Sequence, residues 1–216
     1  KHILATIGIG LVPIILLVSV AVKYYDKVEQ KQKELPAIFS GGRIPTWISR
    51  IQTFIYTDKN TDSEKLYQTN QAKIAVANGG WIGKGPGNST QRNFLPHSYS
   101  DFIYAIIIEE YGFLGASFMM FIYLLFLYRC IRLYRKCPFA FGAFLALALS
   151  FTLVIQAIAN MGVAVNAFPN TGVTLPLVSM GGSSFLFTCL SIGIVLSVAR
   201  NVEQLEGKNQ EVVVNE

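Results

Sequence analysis

The chain has 216 residues, of which 52% are apolar and only 14% are charged, and its formal net charge is +5. Soluble globular domains carry about 25% charged residues, so this composition is not that of an ordinary soluble domain and predicts helices that cross a bilayer. The cysteines are isolated and no His/Cys ligand spacing is present, which argues against a disulfide framework and against a metal site.

The sequence predicts an all-α integral membrane protein with about four transmembrane helices, since each span needs about 20 apolar residues. The first apolar run, 3–22, contains glycines and a proline, which membrane helices tolerate. A long polar stretch follows, 23–100. Within it, "IPTWISRIQTFIY" is either an amphipathic helix at the membrane interface, with Trp47 and Tyr56 as anchors, or a folded loop segment. Residues 68–77 predict a short helix.

Three further apolar runs follow this polar stretch. The run 102–128 is longer than one perpendicular crossing needs, so its helix is expected to tilt or to begin outside the hydrocarbon. The predicted transmembrane helices are 1–22, 101–128, 138–165 and 183–200. The predicted connections are a large extracytoplasmic loop at 23–100, a basic cytoplasmic loop at 129–137 and an extracytoplasmic re-entrant loop at 166–182. A polar cytoplasmic tail at 201–216 is expected to be disordered.

The distribution of positive charge between the short loops predicts the orientation. Residues 129–137 are rich in arginine and lysine, whereas 166–182 contain neither. The positive-inside rule therefore places 129–137 in the cytoplasm and 166–182 outside, with both termini cytoplasmic. In this topology Asp101 lies at the outer membrane surface, where a helix enters the lipid.

Asp101 allows two interpretations. Residues 98–101 fit the S-x-x-D form of a capping box before an apolar run, so the aspartate could start a helix. Alternatively, a carboxylate at a wet, half-buried interface can accept a proton from a sugar hydroxyl. The pattern by itself favours capping, and the two roles can coexist.

Glu109 and Glu110 lie roughly 12 to 14 Å beyond Asp101 if the helix is continuous, at 1.5 Å per residue. Carboxylates at that depth are costly unless they face a polar cavity or a partner, so we expect at least one of the pair to face a cavity. A helix that bends near Gly112 and spans from there would instead leave both at the interface with no special role.

"GGWIGKGPGNS", at 79–89, is a glycine-rich turn that contains Lys84. It is not a Walker loop, because Gly85 stands where Ser or Thr would follow the lysine and no βαβ pattern surrounds it. Its backbone N–H groups and Lys84 could cradle an anion, or the segment could be a plain tight turn.

"PNTGVTLPLVSMGGSS", at 169–184, combines prolines, glycines and hydroxyl side chains with apolar residues. Irregular backbone at membrane depth has to be covered by protein, so this pattern predicts a re-entrant loop that lines a cavity. The last helix would then begin near Ser183 and Ser184. The upstream amides are expected to form hydrogen bonds between helices; they are Gln156, Asn160 and Asn166.

Two long motifs resemble the SEDS family of membrane proteins (shape, elongation, division and sporulation), which includes FtsW, RodA and SpoVE. They are "YQTNQAKIAVANGGWIGKGPGNSTQRNFLPHSYSDFIYAIIIEEYGFLG" and "NMGVAVNAFPNTGVTLPLVSMGGSSFLFTCLSIGIVLSVAR". Both stand in the family's order and at its spacing. Within the family, "GKGPGNSTQRNFLPHSYSDFIYAIIIEEYG" and "SMGGSS" are more similar to the FtsW branch.

The resemblance implies a peptidoglycan glycosyltransferase, a hexosyltransferase that polymerises lipid II during cell division and releases undecaprenyl diphosphate. Asp101 matches the family's essential acidic residue, which implies that it is the catalytic general base on the acceptor 4-hydroxyl. The leaving diphosphate needs charge neutralisation, for which Lys84, Arg92 or a divalent cation (Mg²⁺ or Mn²⁺) are candidates. The expected substrate-binding residues are Lys84, Gly85, Arg92, Glu109, Glu110, Ser183 and Ser184.

The resemblance also implies a location and partners. The location is the bacterial cytoplasmic membrane at the division septum. The partners are lipid II and the nascent glycan, a class B penicillin-binding protein and other divisome membrane proteins, with no nucleic acid. The sequence resembles the C-terminal part of a ten-helix fold, so this segment alone is expected to be inactive. Two other functions stay open, a transporter that flips lipid II and a scaffold that only recruits the crosslinking enzyme.

Overall fold

The computed structural model describes residues 12, 15–23, 25–26, 31–32, 44–55, 63–95 and 99–214. Two short strands pair antiparallel, β1 (Tyr25–Asp26) and β2 (Lys31–Gln32). Residues 15–23 are helical, and the helices that follow are α1 (Ile44–Ile55), α2 (Ser63–Gly79), α3 (Ile103–Lys136), α4 (Ala140–Ala164) and α5 (Gly182–Val214), with a 3-10 helix at Gln91–Asn93. The described part of the chain is mostly helical, as the sequence predicts.

The chain forms two compact units. The first consists of Lys1–Asn70 and Asn166–Thr171, and the second consists of Gln71–Val165 and Gly172–Glu216. Every residue that the sequence singles out for catalysis or substrate binding belongs to the second unit.

Within the first unit, α1 has the amphipathic character that its sequence predicts. Ile48 is fully buried, whereas Trp47 is 57% exposed. Buried Gln52 donates a hydrogen bond of 3.0 Å from Nε2 to the carbonyl of Ala21. The helical interpretation of this segment is therefore confirmed; Tyr56 lies outside the described residues, and the location at the membrane interface stays a prediction.

Helices α3 and α4 and the segment Gly182–Leu205 of α5 are long and apolar enough to cross a membrane. Large aromatic side chains on them face outward: Phe118 is 65% exposed, Phe141 80% and Phe187 70%. Apolar surface of this extent is typical of helices covered by lipid or by other protein. The helical membrane fold is thus confirmed. The predicted first span lies largely outside the described residues; in its described part, the chain is helical over 15–23.

Two helices extend beyond their predicted ends. Helix α3 continues to Lys136, so most of the predicted basic loop forms its final turns. No helix-breaking residue stands between Gly115 and Pro138. Helix α5 continues to Val214, so the tail predicted to be disordered is helical up to that residue. Glutamate, glutamine and leucine in this tail favour a helix, and it contains no proline.

Helix α3 is broken at Gly112, where φ is 69° and ψ is −169°. In a continuous helix the carbonyls of residues 109 and 110 would accept hydrogen bonds from the N–H groups of residues 113 and 114. All four groups bond to the glycine-rich turn instead, through Lys84 N–H to Glu109 O (3.0 Å), Gly85 N–H to Glu110 O (2.9 Å), Phe113 N–H to Gly80 O (3.0 Å) and Leu114 N–H to Trp81 O (3.3 Å). The turn therefore satisfies backbone groups that would be costly to bury unpaired.

Close backbone contact explains the glycines on both sides of this junction. A Cβ added at Gly83, whose φ is 82°, would lie 2.3 Å from the carbonyl oxygen of Glu110. A Cβ at Gly79 would lie 2.1 Å from the carbonyl oxygen of Ile108, and one at Gly112 would lie 2.5 Å from the nitrogen of Gly83. A larger residue at any of these positions would push the turn away from the broken helix.

Candidate functional site

Asp101 lies in the turn before α3 and does not cap this helix. The N-cap residue is Phe102, which makes no side-chain capping hydrogen bond, and the first turn of α3 contains no acidic residue. The capping-box interpretation of residues 98–101 is therefore wrong, because the helix begins at Ile103 and leaves the aspartate one residue outside the N-cap. Ser98, the other member of the predicted box, lies outside the described residues.

The backbone around Asp101 is held at three consecutive carbonyl groups. The donors come from α4 and from the segment before α5, with Met180 N–H to Tyr99 O (2.9 Å), Ser179 Oγ to Ser100 O (2.6 Å) and Asn160 Nδ2 to Asp101 O (3.0 Å). These bonds fix the path of the chain without using the carboxylate of Asp101. The turn therefore presents this side chain from a rigid backbone.

The carboxylate itself is half-buried. Its Oδ1 accepts a hydrogen bond of 3.0 Å from the hydroxyl of Ser100. Among the described residues no cation pairs with it, so its remaining lone pairs can accept a proton or a hydroxyl from a ligand. A carboxylate with this exposure and a fixed backbone is suited to general-base chemistry.

The amides of α4 hold the segment before α5. Gln156 Nε2 donates to the carbonyl of Thr174 (3.1 Å), and Asn160 Nδ2 also donates to the carbonyl of Val173 (2.7 Å). The prediction that these amides join helix to helix is wrong, because their partners are backbone carbonyls of irregular segments. Asn166 lies in the first unit and has a φ of 58°. The membrane depth of the predicted re-entrant loop stays a prediction.

Other predicted substrate-binding residues lie on separate parts of this unit. Ser184 shares a hydrogen bond of 2.8 Å with Thr174, while Ser183 is exposed at the start of α5. Arg92 stacks over the ring of Tyr99, with its Cζ 5.1 Å from the ring centroid, and its Nε donates to the hydroxyl of that tyrosine. The structure thus brings the guanidinium of Arg92 beside the turn that carries Asp101.

Glu109 forms a second polar cluster, which we call the glutamate cage: Glu109 and the residues that donate to its carboxylate. Glu109 is fully buried. The donors are Lys84 Nζ (2.8 Å), Ser89 Oγ (2.5 Å), Thr90 Oγ1 (2.8 Å), Thr90 N–H (3.4 Å), Gln91 N–H (3.2 Å) and Asn78 Nδ2 (3.5 Å). The structure does not show the predicted cavity: Glu109 is enclosed by donors of the folded chain, Glu110 is half-buried beside it, and α3 breaks at Gly112 as the alternative interpretation expected.

The cage changes the interpretation of Lys84 and Gly85. The ammonium of Lys84 forms an ion pair of 2.8 Å with Glu109, so its charge is compensated within the protein. The N–H groups of both residues bond to carbonyls of α3, which leaves neither free to bind an anion. Of the two interpretations of this segment, the anion cradle is therefore not supported for the N–H groups of these two residues, and the tight turn is. Glycine is favoured at position 85 because its φ is 96°, a conformation that other residues rarely adopt.

The hydroxyls that complete the cage and the residues that hold the turn of Asp101 were not predicted from the sequence. Ser89 ends the glycine-rich turn and Thr90 directly follows it, and a buried carboxylate needs several donors. This hydroxyl pair could have pointed to Glu109. Nothing in the local pattern indicates that Asn160 and Ser179 meet residues 99–101, because these contacts join parts of the chain that are distant in sequence.

Comparison with known proteins identifies the family. The profile of a family described as a cell cycle protein, which groups FtsW, RodA and SpoVE, matches residues 1–204. The chain belongs to this family. Taken with the three apolar helices long enough to span a bilayer in the described part of the chain, this makes it a bacterial membrane protein.

Individual relatives agree with this assignment. The chain is 42% identical over 142 residues to the probable peptidoglycan glycosyltransferase FtsW of Hydrogenovibrio crunogenus, covering 64% of this chain and 36% of the relative. It is 41% identical over 155 residues to the FtsW of Saccharophagus degradans, covering 70% and 39%. It is 33% identical over 178 residues to that of Lactococcus lactis, covering 78% and 42%. The chain therefore spans less than half the length of these relatives.

A similar chain occurs in a solved structure of a peptidoglycan synthase complex that coordinates polymerization and crosslinking. The TM-score is 0.59 at 25% identity, and the match covers 93% of this chain and 50% of that one. The fold described above is therefore shared with a component of such a complex.

Proposed function

We propose that the full-length protein carrying this sequence is a peptidoglycan glycosyltransferase that polymerises lipid II into glycan strands during cell division. Membership of the family and the names of the relatives support this proposal. The structural observation that carries it is the half-buried carboxylate of Asp101, which projects from a turn whose backbone is fixed by three hydrogen bonds.

In the proposed reaction Asp101 acts as the general base. Its carboxylate removes the proton from the 4-hydroxyl of the acceptor N-acetylglucosamine as that oxygen bonds to the anomeric carbon of the lipid-linked donor. The bond from this carbon to the diphosphate breaks, undecaprenyl diphosphate leaves with the electron pair, and the configuration at the carbon inverts. A base held on a rigid turn is already oriented for this step, which lowers the entropic part of the barrier.

The leaving diphosphate needs positive charge. Arg92 is exposed and lies beside the turn of Asp101, so it is the better candidate, whereas Lys84 already compensates Glu109. No group of three or more His, Cys, Asp or Glu residues that could hold a metal occurs among the described residues. Mg²⁺ is often bound by one or two carboxylates together with substrate phosphates. Asp101 could therefore supply one ligand to a divalent cation.

The location and partners complete the proposal. The basic end of α3 is cytoplasmic, the turn of Asp101 faces the outer side of the cytoplasmic membrane, and the protein acts at the division septum. A class B penicillin-binding protein, which crosslinks the new glycan, is the proposed partner, and other divisome membrane proteins assemble with it. The similarity to a chain of a peptidoglycan synthase complex supports such an assembly. We further propose that the segment by itself is inactive, because it spans less than half of its relatives.

The test is polymerisation of labelled lipid II by the full-length protein with its partner, comparing wild type with Asp101→Asn. This isosteric change removes the base, and loss of a general base costs about 10²- to 10⁴-fold in rate. Exposed Asn93, next to Arg92, provides a control variant (Asn93→Ala) that should keep activity. Arg92→Ala should slow the reaction, and chelation of divalent cations tests the metal. Wild-type rates for Asp101→Asn, at equal melting temperature, would refute the proposed mechanism.

The same assay separates the other two functions. A lipid II flippase should tolerate Asp101→Asn, because transport needs ionisable groups within the membrane and no carboxylate at the outer surface. A scaffold should tolerate every polar substitution that leaves the helices intact. Glycan strands that disappear specifically with the Asp101 carboxylate fit neither of them.

A further inference from the structure

The basic end of α3 and the facing part of α5 enclose a groove that the proposed reaction does not use. Its volume is about 500 Å³. Arg129, Arg132 and Lys136 line the α3 side, together with apolar side chains from both helices. We call it the basic groove.

Charge and geometry in the basic groove favour a phosphate. The three basic residues of α3 follow one another at spacings of three and four, so they lie on the same face of the helix. They extend over about 10 Å at 1.5 Å per residue. Glu203 is the acidic residue of the lining, so positive charge dominates. Guanidinium groups bind phosphate oxygens through pairs of parallel hydrogen bonds, which favours Arg129 and Arg132 as the contacts.

The remainder of the lining is apolar. Leu133 of α3 faces Val195 and Leu196 of α5 in the same groove. Both helices are long and apolar enough to span a membrane, so the groove lies near the end of membrane helices. A ligand that fits must carry negative charge at one end and hydrocarbon at the other. Free phosphate would satisfy the arginines and leave the apolar walls uncovered.

We propose that the basic groove binds an anionic glycerophospholipid of the surrounding leaflet, with its phosphate on Arg129 and Arg132 and the upper part of an acyl chain against Leu133 and Val195. Basic pockets between membrane helices are a known type of site for anionic lipid headgroups. The lipid would fill the space between α3 and α5 and connect the two helices at this end of the second unit.

A photoactivatable phosphatidylglycerol provides the test. The full-length protein in detergent micelles is irradiated with this probe, and the crosslinked peptides are identified by mass spectrometry. Adducts are expected in 126–136 and 195–203, and unlabelled phosphatidylglycerol should compete for them, whereas phosphatidylcholine and soluble glycerol phosphate should not. Because this arm uses the wild-type protein, it does not depend on how any variant folds.

Variants then test the residues. Arg129→Gln with Arg132→Gln should weaken binding of the probe about thirtyfold, since each basic residue near an anionic lipid contributes roughly one kcal/mol and 1.4 kcal/mol corresponds to a factor of about ten. Arg135→Gln is the matched control, because Arg135 lies in the last turn of α3 and does not line the groove. Replacing both arginines by lysine should keep the preference for anionic lipid.

Three results would overturn the proposal. They are equal competition by phosphatidylcholine, equal loss of labelling with Arg135→Gln, and adducts that lie outside the basic groove because another segment of the full-length protein fills it. Lipid II polymerisation is measured separately, so failure of the lipid site would leave the proposed glycosyltransferase activity intact, and the reverse also holds.

Discussion

Replacing Glu109 by glutamine should destabilise the second unit strongly. Glu109 is fully buried, and every neighbour within hydrogen-bond distance of its carboxylate is a donor. The amide nitrogen of glutamine is itself a donor, so one side of the cage would set donor against donor. Removing one member of a buried ion pair costs about 3–5 kcal/mol. Water can partly solvate the unpaired ammonium, because 34% of the Lys84 side chain is exposed. We therefore expect the lower end of this range, a loss of about 3 kcal/mol in the free energy of unfolding.

The measurement is a denaturant titration of the purified protein in mixed micelles. Trp81 is a local fluorescent probe, because it belongs to the glycine-rich turn and packs edge-to-face on Phe113 with ring centroids 5.5 Å apart. Glu110→Gln is the matched control, since this neighbouring carboxylate is half-buried and accepts no hydrogen bond among the described residues. It should change the free energy of unfolding by about 0.5 kcal/mol or less.

A double-mutant cycle with Lys84→Met isolates the ion pair. Residues in direct contact show coupling energies of about 0.5–3 kcal/mol, and the 2.8 Å pair should lie in the upper half of that range. A coupling near zero, or a Glu109→Gln protein that is as stable as the Glu110→Gln control, would refute the stabilising role of the ion pair between Lys84 and Glu109.

The remaining predictions use matched pairs of residues. Gly83→Ala should lower the free energy of unfolding by more than about 2 kcal/mol, because its Cβ would lie 2.3 Å from a carbonyl oxygen of α3. In the control, Gly87→Ala, the Cβ meets open space, so only the strain of a positive φ is added, about 1–2 kcal/mol. Equal losses of stability in thermal melts would contradict the close contact at Gly83. Asn160 holds the backbone of Asp101, so Asn160→Ala should slow lipid II polymerisation about tenfold or more, because misplacing a catalytic group is costly. Gln156 bonds to Thr174 and not to the backbone of Asp101, so Gln156→Ala should slow the reaction less in a protein of equal stability.

The membrane architecture could be predicted from the sequence because it depends on local composition. The apolar runs that became α3, α4 and α5 are visible without any tertiary information. Their ends were harder to predict: the charged residues 129–136 suggested a loop and form helical turns, because a change in polarity does not break a helix when neither proline nor glycine interrupts it. The amphipathic pattern of α1 indicated a helix for the same local reason, although a folded loop segment stayed open until the structure showed the helix.

The candidate site was predicted only in part. Glu109 was identified from its position within an apolar run, where a carboxylate needs a reason to be present, whereas the local pattern favoured Asp101 as a helix cap and its catalytic role was implied only by the family resemblance. Which donors surround Glu109 was not predicted, since Ser89 and Thr90 reach it only after the glycine-rich turn has folded onto α3. Lys84 was assigned to an anionic substrate because the sequence does not show that Glu109 is its partner.

By itself, the sequence determined that this protein is helical and that it belongs in a membrane, because both properties depend on side-chain chemistry over one turn or one span. Only the tertiary structure decided the role of the glycine-rich turn, whose peptide groups replace the bonds lost where α3 breaks at Gly112. It also decided that Asp101 stands outside its helix on a backbone held by Asn160 and Ser179. The physical reason is that backbone hydrogen bonds between distant segments do not depend on side-chain identity, so the sequence carries little trace of them.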